Sequence, residues 1–124
     1  RHRKSGGVLG AVFICTGRLA TAMGALGKHR MVGLGDRGLA VECVGKAGWA
    51  TVVLIAGGGR TADDGAKVQP AVSKFARVCS YDRAGFGASD KAASEMQSVD
   101  EVVDDLHGLL KASVEKRPFI LVGH

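Results

Sequence analysis

The sequence has 124 residues, of which 46% are hydrophobic, 23% are charged and 19 are glycine. This length and composition suit one small α/β domain and exclude a disordered chain. The net charge of +5 comes from the start of the chain, since residues 1–50 carry eight Lys or Arg and two acids, whereas residues 51–124 carry nine and ten. Because the basic surplus lies outside the predicted folded body, the charge argues against a nucleic-acid-binding domain.

Residues 1–27 are predicted to be a signal peptide or signal anchor. Three of the first four residues are Arg or Lys, and a mostly apolar stretch with an A-x-A-like site at Ala20–Ala22 follows. That layout predicts contact with a membrane through residues 5–27 and a membrane-anchored or exported protein. The alternative is a soluble or disordered leader, with which the protein would be cytoplasmic.

Residues 28–124 are predicted to form the folded body. Short apolar runs bounded by glycine or polar residues predict five strands, over residues 31–35, 39–45, 51–56, 77–81 and 119–122. A first helix is predicted over residues 64–75, with Pro70 at a kink or in its true first turn. The order β-β-β-α-β-α-β implies right-handed crossovers and a mostly parallel sheet.

The second predicted helix begins after Ser98. Ser98 and Glu101 fit a capping box, and one apolar stripe follows at helical spacing. The stripe consists of Val99, Val102, Val103, Leu106, Leu109 and Leu110. The same helix also carries four acids, Asp100, Glu101, Asp104 and Asp105. They are interpreted as a solvated helix face without a catalytic role.

Ligands of parallel sheets bind beyond the carboxyl ends of the strands, and three such ends carry distinctive residues here. The first is the glycine run Gly57, Gly58 and Gly59 after the strand 51–56. Glycine lets backbone approach a ligand closely, so this turn can aim an N–H group at a developing oxyanion. A flexible loop or a phosphate cradle would use the same glycines, although no Walker A motif is present.

The second end is the segment from Asp82 to Ser89, D-R-A-G-F-G-A-S. Gly85 and Gly87 permit a tight reversal, and Asp82 with Arg83 is expected to fix it by a charge-assisted hydrogen bond. Ser89 is a candidate nucleophile, but a turn-capping serine is the favoured interpretation.

The third end is Gly123-His124, after the apolar run 119–122. A buried strand that leads into Gly-His is typical of the G-x-S-x-G nucleophile elbow, in which the next residue is the serine. The sequence stops before that position.

With these three motifs, residues 31–124 resemble the α/β-hydrolase superfamily of the α/β-hydrolase-1 type, in its membrane-anchored or exported branch. The fourth strand of that family commonly ends in D-R-x-G-x-G-x-S, and G-H-S-x-G follows a later strand. The resemblance implies the N-terminal half of an α/β-hydrolase fold, a mostly parallel sheet with helices packed on it, truncated before the nucleophile serine. One departure is Ala56, where the family usually has histidine.

The resemblance also implies a chemistry. A serine attacks the substrate, a histidine is the base and a carboxylate orients the histidine, in the chain order Ser, acid, His. Gly58 matches the position of the first oxyanion N–H donor. None of the four histidines (His2, His29, His107 and His124) is a credible triad base, so the chain itself is predicted to be inactive.

The implied substrate is an ester-like or related small molecule, with esters, epoxides, halides and peptides all left open, and no cofactor or metal is implied. The alternative function is a non-catalytic binding module, a pseudoenzyme. A dinucleotide site at Gly33-x-Gly35-x-x-Gly38 is disfavoured, because a strand-like run rather than a helix follows it.

Cys15, Cys43 and Cys79 make an odd number of cysteines. Cys15 lies in the leader. In the family sheet the strands that carry Cys43 and Cys79 are neighbours, which implies a cross-strand disulfide in an exported protein. Two small buried thiols are the equal alternative. In the fragment, the strand 119–122 is expected to be an uncovered apolar edge.

Overall fold

A computed structural model describes residues 29–124, so the leader 1–27 and Cys15 lie outside the described residues. The elements are β1 (Arg30–Gly33), β2 (Gly38–Val44), β3 (Thr51–Ile55), a 3-10 turn at Ala62–Gly65, α1 (Gln69–Val72), β4 (Arg77–Tyr81), α2 (Val99–Ala112) and β5 (Phe119–Gly123). In this part of the chain, every helix is too short or too polar to cross a membrane.

The five strands form one sheet in the order β1-β2-β4-β3-β5. β3 pairs in parallel with β4 and with β5, whereas β2 pairs antiparallel with β1 and with β4. The α/β fold class is thereby confirmed. The expected parallel pairing holds for the last three strands only, since β2 is antiparallel to both of its neighbours. The short connection between β1 and β2 forces that pair to be an antiparallel hairpin.

The core lies along the central strands. Leu39 on β2 and Val78 on β4 are fully buried, and Tyr81 at the end of β4 is 2% exposed. Leu109 is the buried residue by which α2 joins this cluster. β-Branched and aromatic side chains suit such a pleated, two-sided surface, which explains why these runs form strands.

The capping box that begins α2 is confirmed, since the Glu101 N–H donates to the Ser98 hydroxyl and the Ser98 N–H donates to the Glu101 carboxylate. The apolar stripe was predicted too wide, because Val99 and Val103 are exposed. The stripe meets the sheet only in the later turns of the helix.

Asp105 was wrongly placed on a solvated face, since it is 6% exposed. Its carboxylate accepts hydrogen bonds from Arg37 in the β1–β2 turn and from Gln97 before α2. A carboxylate is buried without large cost only when it is paired. The ion pair with Arg37 explains the position of Asp105, and periodicity cannot reveal such a distant partner.

The first helix was also predicted too long. Residues 64–75 form the end of the 3-10 turn and the short helix α1, where Pro70 occupies the first turn. Proline lacks an N–H group and is tolerated only in that turn, so it marks a new start. The buried Gln69 attaches α1 to the sheet by donating to the Glu42 carbonyl and accepting from the Ser80 hydroxyl.

β5 is an edge strand in the described part of the chain, because it pairs only with β3. Ile120, Leu121 and Val122 are 40%, 50% and 49% exposed. Both observations agree with the expected apolar edge.

Cys43 and Cys79 are directly opposite each other in the β2–β4 pair. Their sulfur atoms lie at a bonding distance of 2.03 Å. The neighbouring position of the two strands that this pairing requires was predicted from the family resemblance.

Candidate functional site

The carboxyl ends of β3, β4 and β5 meet at one edge of the sheet, because these three strands run parallel. We name the residues that follow β3 and β4 the glycine turn (Gly57–Gly59) and the aspartate turn (Asp82–Asp90). β5 ends at Gly123, and His124 follows it at the same edge. The three sequence motifs, widely separated along the chain, are thereby brought together.

The glycine turn is a reversal closed by the Arg60 N–H, which donates to the Gly57 carbonyl over 3.1 Å. Gly59, at the third position, has a φ of +70°, as a type II turn requires and as glycine adopts without strain. This explains why the sequence has glycine there. At Gly58 an added Cβ would meet nothing within 4 Å.

The Gly58 N–H group makes no backbone hydrogen bond within residues 29–124. Gly58 lines two open cavities, of about 680 Å³ on the side of the 3-10 turn and about 710 Å³ on the side of the aspartate turn. An unbonded donor between two solvent-filled spaces can bind an incoming oxygen without first breaking a bond of the protein.

The aspartate turn, in contrast, is held by its first side chain. Asp82 is 4% exposed, and its two carboxylate oxygens accept from the N–H groups of Ala62, over 2.7 Å, and Ala88, over 3.0 Å. Gly87 passes so close that an added Cβ would lie 2.2 Å from the Asp82 Oδ2. Asp82 therefore joins the 3-10 turn to its own turn.

The end of the aspartate turn is tied to β2. The Ser89 hydroxyl donates to the Asp82 carbonyl and accepts from the Ala40 N–H over 2.8 Å. The Asp90 carboxylate accepts from the Gly38 N–H over 2.8 Å. The Ser89 oxygen is thus engaged on both sides, in the arrangement of a turn-capping residue, and no histidine is among its partners.

Arg83 has a partner that the sequence did not indicate. Asp82 and Arg83 were expected to bond to each other, but the Arg83 Nη2 donates to the Gly57 carbonyl over 2.6 Å. The Arg83 guanidinium also lies 5.4 Å from the ring centre of Phe86. The expected pairing does not form because the Asp82 carboxylate is directed to the backbone N–H groups of Ala62 and Ala88, which sequence spacing cannot reveal. Arg83 is the direct link between the two turns.

His124 lies against the glycine turn, since a Cβ added to Gly57 would be 3.2 Å from the His124 Nδ1. The nearby Asp64 is bound by Arg60, with bonds of 2.6 to 3.0 Å. That ion pair lowers the pKa of the Asp64 carboxyl, and the charge of His124 adds a smaller effect in the same direction. His107 is exposed and lies on α2, which contains neither of these turns.

Gly33, Gly35 and Gly38 lie in the β1–β2 hairpin, and β2 follows them directly. A dinucleotide site would need a helix to open on these glycines. The strand-like run that the sequence predicts after these glycines is observed as β2.

No protein-family model matches the sequence, and no curated protein matches it. Solved structures do match. An E-2-(acetamidomethylene)succinate hydrolase is 23% identical with a TM-score of 0.69, over 79% of this chain and 35% of that one. An epoxide hydrolase from Vigna radiata is 20% identical with a TM-score of 0.69, over 79% and 32%. A membrane phospholipase A is 20% identical with a TM-score of 0.71, over 95% and 42%.

These neighbours are α/β-hydrolases, and the likeness shows that residues of this chain adopt the α/β-hydrolase fold. The chain spans about a third of the length of most of these structures. The fold implied by the three sequence motifs is confirmed.

Proposed function

We propose that this chain is the oxyanion-donor part of a serine hydrolase that acts on a small ester-like substrate. The observation that carries the proposal is the unbonded Gly58 N–H at the edge where the ends of β3, β4 and β5 meet. The names of the structural neighbours, which include a lipase, a phospholipase and epoxide hydrolases, support hydrolysis and leave the substrate open.

In the proposed reaction a serine hydroxyl attacks the carbonyl carbon, and a histidine accepts its proton. The carbonyl electron pair moves to oxygen, and the N–H groups of Gly58 and of the residue after the serine stabilise that charge. Collapse expels the alcohol, which takes the proton from the histidine, and water then releases the acid by the same steps. The serine, acid and histidine are assigned to residues after His124, so the chain 1–124 alone is proposed to be inactive.

Replacement of Gly58 tests the donor. In the longer protein that continues past His124, Gly58→Pro removes the N–H group, while Gly58→Ala keeps it and places a methyl group where no atom lies within 4 Å. Loss of one oxyanion donor lowers kcat by about 10² to 10³-fold. We expect that loss for Gly58→Pro on p-nitrophenyl esters and nearly unchanged kcat for Gly58→Ala. Equal activity of the two variants would contradict the role of Gly58.

A non-catalytic binding module is the other outcome. A longer protein that binds esters but never hydrolyses them, with a residue other than serine after His124, would establish it. The unbonded Gly58 N–H would then serve as a ligand contact.

We further propose that residues 1–27 direct the protein to a membrane or out of the cell and that residues 28–124 form the partial hydrolase domain. The basic and apolar N-terminal pattern and the membrane phospholipase neighbour support this location. An exported protein would keep the disulfide between Cys43 and Cys79. Thiol counting on unreduced, denatured protein should therefore find neither of these cysteines reactive, and two reactive thiols would contradict export.

A further inference from the structure

Arg83 touches the peptide group that contains the proposed oxyanion donor. Its Nη2 donates to the Gly57 carbonyl over 2.6 Å, and the Gly57 carbonyl and the Gly58 N–H belong to one planar peptide unit. In a trans peptide these two groups point in opposite directions. The guanidinium therefore fixes the N–H direction from the far side of the peptide.

The charge of Arg83 is not neutralised nearby. Within residues 29–124, Arg30, Arg37, Arg60 and Arg77 each pair with a carboxylate, whereas Arg83 pairs with none. Its neighbour Asp82 accepts hydrogen bonds from two backbone N–H groups and forms no ion pair with Arg83 within the described residues. The field of the guanidinium thus falls on the Gly57 carbonyl, and a cation there polarises the whole peptide and makes its N–H a stronger donor.

The position of Arg83 is itself fixed. Arg83 follows Asp82, which is buried and anchored, and its guanidinium lies over the Phe86 ring of the same turn. The glycine turn has only the Arg60 backbone bond to close it. The Arg83 side chain, held by the aspartate turn, therefore both positions the glycine turn and places a positive charge beside it.

We propose that Arg83 is a positioning residue that orients and polarises the Gly57–Gly58 peptide so that its N–H stabilises an oxyanion. The catalytic meaning of this inference rests on the proposed function. The physical effect, a Gly58 N–H made more acidic by Arg83, does not depend on the proposed function. This effect can be measured on the 124-residue chain.

Base-catalysed exchange of the Gly58 amide proton with water measures that acidity, because a cation at the carbonyl stabilises the deprotonated amide. A unit charge about 4 Å away changes such an equilibrium by about fivefold even at the dielectric constant of water. In Arg83→Gln, which keeps a hydrogen-bond donor without the charge, we expect Gly58 exchange to slow by about fivefold or more. In Arg83→Lys, which keeps the charge, exchange should stay nearer the wild-type rate.

Arg60→Met is the matched control. The Arg60 side chain is equally cationic and close to the glycine turn, but it is paired with Asp64, so its loss should leave Gly58 exchange within about twofold. A purely structural role of Arg83 predicts an exchange rate close to that of wild type, because the Gly58 N–H is already unbonded and loosening the turn breaks no protecting bond. Unchanged or faster exchange in Arg83→Gln would overturn the proposal.

A measurement on the wild-type chain covers the case in which Arg83→Gln does not fold. Gly58 should exchange faster than an unstructured peptide of the same sequence, whereas the exposed Gly48 should not. Gly58 exchange at or below the peptide rate would overturn the proposal.

In the longer protein, Arg83→Gln should lower kcat on esters by about tenfold, less than loss of the donor itself, with KM little changed. A raised KM with unchanged kcat would overturn the catalytic role. A longer protein without any esterase activity would refute the proposed function, while the exchange result would still decide whether Arg83 polarises the peptide.

Discussion

The two turns at the carboxyl edge of the sheet are built in opposite ways. The aspartate turn is fixed by side chains, since Asp82, Ser89 and Asp90 bond to backbone groups of β2, of the 3-10 turn and of the aspartate turn itself. The glycine turn has no side chains of its own and is held by the Arg60 N–H and the Arg83 guanidinium. A turn without side chains leaves its N–H groups accessible, but it needs a rigid neighbour to orient them.

Among substitutions that test this difference between the two turns, Asp82→Ala should have the largest effect on stability. Removal of the carboxylate leaves the Ala62 and Ala88 N–H groups without their partner, which should lower the free energy of unfolding by about 3 kcal/mol. Asp63→Ala is the control, because Asp63 is exposed and its carboxylate makes no hydrogen bond within the described chain. Urea denaturation measures both variants, and equal losses would show that the aspartate turn does not depend on Asp82.

Gly87→Ala should have the next largest effect. Gly87 has a φ of +51°, and an added Cβ would lie 2.2 Å from the Asp82 Oδ2. Strain from the left-handed backbone alone amounts to about 1–3 kcal/mol. Gly48→Ala, where nothing lies within 4 Å of the added Cβ, should be nearly neutral. Thermal unfolding compares the two, and a Gly87→Ala variant as stable as wild type would argue against this close packing.

The sequence predicted much of this edge. The strand boundaries, the capping box of α2 and the three motifs followed from local patterns, because apolar runs, caps and glycine turns are local in sequence. The hydrogen-bond partners of Arg83, Asp82 and Asp105 did not follow from local patterns, since each of these residues bonds to a segment far away in the chain. The first helix is shorter than predicted because Pro70 marks the start of a separate helix, which Gln69 anchors to β2 and β4.

The ion pair that follows the glycine turn gives a smaller, pH-dependent effect. Arg60 holds the pKa of Asp64 below its ordinary value, so the stabilisation is present above the unfolded-state pKa and is lost as the pH falls through the lowered, folded-state pKa. NMR titration of the Asp64 carboxyl should show the low pKa in wild type and an ordinary one in Arg60→Met. A pKa that is equally low in both would mean that Arg60 is not its cause.

Gly58→Ala should have the smallest effect on stability. The added methyl group meets no atom within 4 Å, and alanine restricts the unfolded chain, so the free energy of unfolding should change by less than about 1 kcal/mol. Urea denaturation of Gly58→Ala beside Gly87→Ala measures the contrast between the open and the fixed turn. A loss as large as that of Gly87→Ala would show that the glycine turn is as tightly packed as the aspartate turn.

We propose that this chain holds an oxyanion donor and that the nucleophile is the residue after His124. Fluorophosphonate labelling with peptide mapping tests it most directly, on the 124-residue chain and on the longer protein side by side. We expect no labelling of the 124-residue chain, Ser89 included, and one label on the longer protein, at the residue after His124. Specific labelling of Ser89, or of a longer protein at any other serine, would contradict it.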